Sequence, residues 1–254
     1  IPCDIFSAIK ILKGEIQFLS SEKGVTGYPF RVCLNSKCSV SKKPKFGIKI
    51  LPYVNDSQWV SYDCVREHQK DKKKGSYGFR RKEATKECLQ IDVKRPENVE
   101  AHLLNLLSTF VLERKTPHIV LPVMNFICNI NDLIKGISDT KVDWKTRENR
   151  NEIFDISNVL ITEWATGGDL KRFINTNLKG WSKLPYCQLI WSVIFFQLIF
   201  TLTIIFEKYP NFRHNDLKVD NILVTLTEHS PSTIGNYLYY VDGKYYSIPN
   251  IGFQ

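Results

Sequence analysis

Residues 212–224 read FRHNDLKVDNILV, and they set Asp216, Lys218 and Asn221 at offsets of two and five just ahead of an apolar run. Together these side chains offer a proton acceptor, a cation and a neutral oxygen donor. A loop braced between a helix and a strand can aim all three into one cleft, which is what catalysis by positioning and charge stabilisation requires.

The stretch resembles the catalytic loop of protein kinases, His-Arg-Asp-Leu-Lys-x-x-Asn, which stands here as His214, Asn215, Asp216, Leu217, Lys218, Val219, Asp220 and Asn221. Seven of the eight positions fit. The resemblance implies that Asp216 accepts or orients the proton of a substrate hydroxyl, that Lys218 steadies the transferred phosphoryl group, and that Asn221 holds Mg2+ on the phosphates of ATP. It implies a structural, bracing role for His214. Asn215 replaces the family's arginine, which often pairs with a phosphorylated activation segment, so activation by that route is not expected.

Other stretches extend the likeness. Lys49, within FGIKI at 46–50, resembles the strand lysine that contacts the α- and β-phosphates. Its ion-pair partner should be a glutamate on the next helix; Glu100 is the choice, with Glu97 one turn earlier as the competitor. The 51 positions between Lys49 and Glu100 exceed the usual interval in the family, and a basic insertion accounts for the excess. KGVTG at 23–27 resembles the phosphate-covering turn, with Gly24 and Gly27 closing over the nucleotide. Glu22 stands where the first glycine of G-x-G-x-x-G would be, so an ordinary hairpin turn is the alternative. TEWA at 162–165 resembles the hinge that bonds adenine through its backbone at Glu163 and Ala165, with Thr162 at the back of the pocket. Asp169, in the following GGDL, would lie near the ribose.

The family's Asp-Phe-Gly is missing. Ile251-Gly252-Phe253 has no carboxylate, and Asp242-Gly243 reads more readily as a hairpin turn. An asparagine after the loop histidine, together with a tyrosine-rich stretch ending in Ile248-Pro249, resembles more narrowly the serine/threonine kinases of large nucleocytoplasmic DNA viruses. Residues 237–254 would then be an insertion, and the metal-binding aspartate is expected beyond Gln254.

The elements that must position these residues are legible as period and punctuation. Residues 16–19, 30–34 and 46–50 read as short strands of one small sheet. Residues 55–95 are polar and charged and read as an insertion. Pro96-Glu97 opens a helix carrying Val99, Leu103, Leu106, Leu107 and Phe110 at three-and-four spacing. Residues 118–124 and 159–162 read as strands, 129–151 as a second polar insertion, and 169–174 as a short helix. Residues 184–206 are an uncharged run of 23, long enough to cross a bilayer. Apolar nearly all round, with Gln188, Ser192, Gln197, Thr201 and Thr203 scattered along it, the run reads as a buried core helix, and no transmembrane segment is expected.

The order of elements implies an α+β, protein kinase-like two-lobed fold with the C-lobe truncated: 1–162 as N-lobe, 163–168 as hinge and 169–254 as partial C-lobe. The net charge of +9 is unevenly spread. Residues 66–95 hold eleven Lys/Arg against five Asp/Glu, a net of +6, and read either as a solvated insertion or as a surface for an acidic partner. No nucleic-acid module is recognisable, so specific nucleic-acid binding is not expected. Seven cysteines, without a CxxC pair, read as free thiols in a reducing compartment.

The resulting expectation is an intracellular enzyme, in host cytoplasm or virion if viral, that uses ATP and Mg2+ to phosphorylate serine or threonine of protein substrates. The chain alone, lacking the metal aspartate, is expected to be inactive. The alternatives are a pseudokinase or scaffold module, and a kinase-fold enzyme acting on a small hydroxyl compound; Lys218 leans toward protein substrates.

Overall fold

The computed structural model describes residues 3, 9, 14–19, 27–34, 46–55, 86–134, 144–177, 186–227 and 233–254. They fall into two compact units, one comprising residues 1–106 and 121–164, the other 107–120 and 165–254.

The first unit is built on a five-stranded antiparallel sheet in the order β1-β2-β3-β5-β4, with β1 Glu15–Phe18, β2 Tyr28–Cys33, β3 Phe46–Val54, β4 Pro122–Asn129 and β5 Ile153–Glu163. In β2 and the first half of β3 buried and half-buried residues alternate, the period-2 signature of a sheet with one face on a core. β5, paired on both sides, is buried continuously from Ile156 to Ile161. The β3–β5 register shifts between Pro52 and Val54, at a residue with no N–H to give the ladder.

One face carries the core of Phe30, Val32, Ile48, Ile50, Val159 and Ile161, closed by Ile130, Leu133 and Trp144. The Trp144 ring stacks on Tyr28 with centroids 4.3 Å apart. Burying each of these large side chains contributes on the order of 1.5–3 kcal/mol. The stretch 129–151, read as a polar insertion, thus contributes core residues from two short helices, α3 Ile130–Ile134 and α4 Trp144–Asn149. A smaller cluster joins Leu89, on α1 Lys86–Ile91, to Tyr53 and Ile156.

Helix α2, Pro96–Leu112, starts as its sequence dictates, with proline at the first position and Glu97 in the first turn. It closes at Arg114, whose φ of 57° is left-handed, while Lys115 N–H donates to the Phe110 carbonyl at 2.8 Å.

In the second unit β6 Gly168–Asp169 pairs with β7 Leu223–Val224, α5 spans Leu170–Asn177, α6 spans Cys187–Lys208, and β8 Asn236–Val241 forms a hairpin with β9 Lys244–Pro249. The hairpin turns at Asp242-Gly243, both at positive φ (47° and 77°), as that dipeptide favours. Phe110, Phe200, Ile204, Ile205 and Tyr239 form one core. Leu170, Phe173, Ile194, Val224 and Phe253 form another. Among the described residues α6 is the one helix long and apolar enough to cross a membrane. It buries one face, including Gln197 and Thr201, and the Thr201 hydroxyl shares a 3.2 Å hydrogen bond with that of Thr116. Its opposite stripe, with Phe195, Ile199 and Phe206, is exposed.

Two expectations need correction. The cysteines are not all free thiols: Cys3 and Cys128 form a disulfide, tying the third residue to β4, and Cys33 is disulfide-bonded as well, while Cys187 is free. Partners 125 residues apart leave no local signature, which is why spacing did not show them. Arg95, counted in the basic stretch at 66–95, is no part of a solvated or partner-binding surface. It is fully buried and ion-paired with Glu97 at 3.1 Å.

Candidate active site

Two clusters of polar side chains stand out, one in each unit. In the first, β3 carries Lys49 in the middle of an apolar strand that pairs with β2 and β5, so the backbone of Lys49 is fixed on both edges. Its Nζ lies 2.7 Å from each carboxylate oxygen of Glu100 on α2. Both side chains remain about one-third exposed. Glu97, one turn earlier, instead accepts the Val54 N–H at 2.8 Å and pairs with Arg95. Gly27 is buried beside this lysine: a Cβ there would stand 2.7 Å from Leu51 Cδ2 and 3.0 Å from Lys49 Cε, so the approach requires glycine or a shift of both side chains. Gly24 lies outside the described residues.

Glu163 ends β5; its carboxylate accepts the Leu121 N–H at 2.9 Å, and its own N–H donates to the Leu121 carbonyl at 3.1 Å. Thr162 is half-buried, its hydroxyl 3.2 Å from where a Gly47 side chain would begin.

In the second unit the loop at 214–221 is pinned at its far end. Gly167 N–H donates to the Val224 carbonyl and Leu170 N–H to the Ile222 carbonyl, each at 2.7 Å. A Cβ on Gly167 would stand 2.8 Å from the Val224 carbonyl oxygen, and Gly168 has a φ of 76°, so the Gly-Gly pair permits both the contact and the turn. Ala165 is buried beside this turn. Asp169 accepts the Arg172 N–H at 2.7 Å, satisfying a free donor in the first turn of α5. Lys171, also on α5, reaches Asp220 at 2.9 Å.

Within the loop the Asn221 amide donates to the Asp216 carboxylate at 2.7 Å and to its carbonyl at 2.9 Å. Lys218 Nζ lies 3.0 Å from the other carboxylate oxygen. Hydrogen bonds from Lys218 and then Asn221 hold the Asp216 carboxyl below the usual aspartate range, so an exposed, ionised acceptor is kept in one orientation. Asn215 has a φ of 59°, a conformation asparagine tolerates better than most residues, which gives a backbone reason for its type there. His214, expected as a buried brace, is exposed.

Sequence reasoning did not single out Lys171, although it stands two residues after Asp169, in the first turn of α5. Among the described residues no group of three or more His, Cys, Asp or Glu could hold a metal ion. The Asn221 amide oxygen is a neutral donor of the kind Mg2+ accepts beside phosphate oxygens, so it fits as one ligand of an incomplete set.

Two curated proteins of Acanthamoeba polyphaga mimivirus, each named a "putative serine/threonine-protein kinase", are similar to the chain. The first is 39% identical over 171 residues, covering 63% of this chain and 36% of that protein. The second is 43% identical over 60 residues, covering 23% and 15%. The chain therefore spans about a third of the length of the first and less of the second. No family model matches the chain. No solved structure matches it either. The two likenesses support membership in the protein-kinase superfamily, and the mixed α/β architecture is consistent with it.

Proposed function

We propose that the chain supplies the nucleotide-handling and catalytic-loop residues of a serine/threonine protein kinase that transfers the γ-phosphoryl group of ATP to a protein hydroxyl. The observation that carries this reading is the clamped carboxylate of Asp216, held by Asn221 at 2.7 Å and Lys218 at 3.0 Å. A carboxylate fixed by two donors is oriented before any substrate arrives, and positioning of that kind lowers the barrier without added covalent chemistry.

In this mechanism Asp216 orients the substrate hydroxyl. The hydroxyl oxygen bonds to the γ-phosphorus as the bond from that phosphorus to the bridging oxygen of ADP breaks, and the hydroxyl proton passes to Asp216. Lys218 offsets the negative charge on the transferring group. Lys49, oriented by Glu100, contacts the α- and β-phosphates, with the Gly27 backbone beside it. The backbone at Glu163 and Ala165 takes adenine, and Asp169 takes the ribose. Asn221 would hold Mg2+, which when bound would supply positive charge to the phosphates. The experiment is phosphotransfer from MgATP by the full-length protein, compared with its Asp216→Asn variant.

A further inference from the structure

The first turn of α2 is anchored by a set of buried polar side chains that neither the catalytic loop nor the nucleotide contacts account for. Tyr53, on the same strand as Lys49, donates its hydroxyl to Asn98 Oδ1 at 2.5 Å. Burial, and next the nearby Glu97 carboxylate, push the Tyr53 phenol up to about 12, so it remains a donor. Asn98 Nδ2 donates to the Leu89 and Asp92 carbonyls, both at 2.9 Å. Asn158, on β5, donates to the Glu97 carbonyl at 2.9 Å and itself accepts from Asn125 on β4. Arg95 donates to the Val54 carbonyl at 2.7 Å, and Glu97 accepts the Val54 N–H at 2.8 Å. Tyr53, Arg95, Glu97, Asn98 and Asn158 are each at most 5% exposed.

Buried polar groups cost free energy unless their partners are in place, so a network in which Tyr53, Glu97, Asn98 and Asn158 are all hydrogen-bonded, and in which Arg95 Nη1 is the one side-chain atom without a partner, favours one arrangement of its elements over others. Here the arrangement is one register of α2 on β3. Glu97 and Glu100 are three apart on one helix face, and both reach β3: Glu97 at its end, Glu100 at Lys49. Lys49 and Glu100 are by contrast about one-third exposed to solvent, where an ion pair alone contributes little to holding two elements together.

We propose that Tyr53, Asn98 and Asn158, with the Arg95–Glu97 pair, are positioning residues that hold α2 where Glu100 meets Lys49, so that this ion pair is built into the fold rather than assembled on activation. The inference rests on the kinase reading of Lys49 and Glu100. A helix pinned at its first turn to the end of the lysine strand needs no further signal to bring Glu100 into place. The absence of the family's loop arginine at Asn215 agrees with such a design.

The test uses the full-length protein, MgATP and a serine/threonine peptide mixture, with Asn98→Ala and the milder Tyr53→Phe, each alone and combined with Glu100→Gln. Asn98→Ala is expected to lower kcat about ten-fold, with KM for MgATP moving less than about two-fold, and to add less than about two-fold on top of Glu100→Gln. Tyr53→Phe should follow the same pattern at about three-fold. A merely structural role would multiply the loss equally in both backgrounds, and that result, or an unchanged kcat, overturns the proposal. Amide hydrogen exchange provides an arm independent of activity: residues 97–104 should exchange about ten-fold faster in either variant while β2 is unchanged. Unchanged exchange at 97–104 overturns the proposal. A wild-type protein that transfers no phosphate overturns the kinase reading alone, and the exchange result then decides whether the network holds α2.

Discussion

Lys49 Nζ sits equidistant, at 2.7 Å, from the two carboxylate oxygens of Glu100, although 51 positions of chain separate them. The neighbouring Glu97 is committed to the strand backbone and to Arg95, so the two glutamates of α2 have separate tasks. Because the pair is about one-third exposed, solvent screens it, and Glu100→Gln should cost less than about 1 kcal/mol of stability. In the proposed reading the same change removes the group that orients Lys49, so phosphotransfer should fall on the order of ten- to a hundred-fold. Thermal unfolding and initial rates on one preparation check this; a large drop in Tm with no change in rate would make the pair a structural one.

His118 gives the second unit a pH dependence of known sign. Its Nε2 lies 2.9 Å from the Tyr239 hydroxyl and the rings stack, while burial pushes its pKa down to about 4. The unfolded chain therefore binds more protons than the folded one between about pH 6.5 and 4. The stability is fully present above 6.5 and is lost progressively as pH falls toward 4, by about 3 kcal/mol at most. Unfolding followed at pH 7 and 4.5 should show this difference shrinking in His118→Phe. An equal pH dependence in the variant would place its origin elsewhere.

The Cys3–Cys128 disulfide spans a separation of 125 residues, and closing so long a loop restricts the unfolded chain. Cys3→Ser should cost about 2–4 kcal/mol, read as a lowered Tm, while leaving Cys33 in its own bond. Peptide mapping without reductant should recover Cys3 and Cys128 in one cross-linked species. Recovery of both as free thiols would restore the reading made from spacing.

Legibility followed the physics of each segment. Short alternating strands such as 46–50 and the three-and-four spacing after Pro96 carry local signals, and β3 and α2 lie over them. The local pattern marks β5 only at 159–162, because Asp155, Ser157 and Asn158 interrupt its apolar run. Asn158 sits in the strand because its amide serves the α2 network, a tertiary reason that no local pattern contains. Trp144, Ile130 and Leu133 were hidden by polar neighbours and short helices, yet they close the core of the first unit. At the site, the offsets of Asp216, Lys218 and Asn221 were visible as letters, and the structure places these three side chains within hydrogen-bonding distance. The left-handed backbone at Asn215 and the exposure of His214 were not visible, because both depend on the path of the loop.

The measurement that bears most directly on the account is phosphotransfer from MgATP by the full-length protein and by Asp216→Asn, with MgATP affinity measured on both. The substitution keeps the shape of the side chain and removes its charge and proton-accepting capacity. Asp216→Asn should lose transfer on the order of a thousand-fold, with the Kd for MgATP within about two-fold of wild type. Equal transfer by the two proteins would contradict the proposed function. Nucleotide binding without transfer in the wild type would also contradict it, and would favour an interaction module built on the same fold.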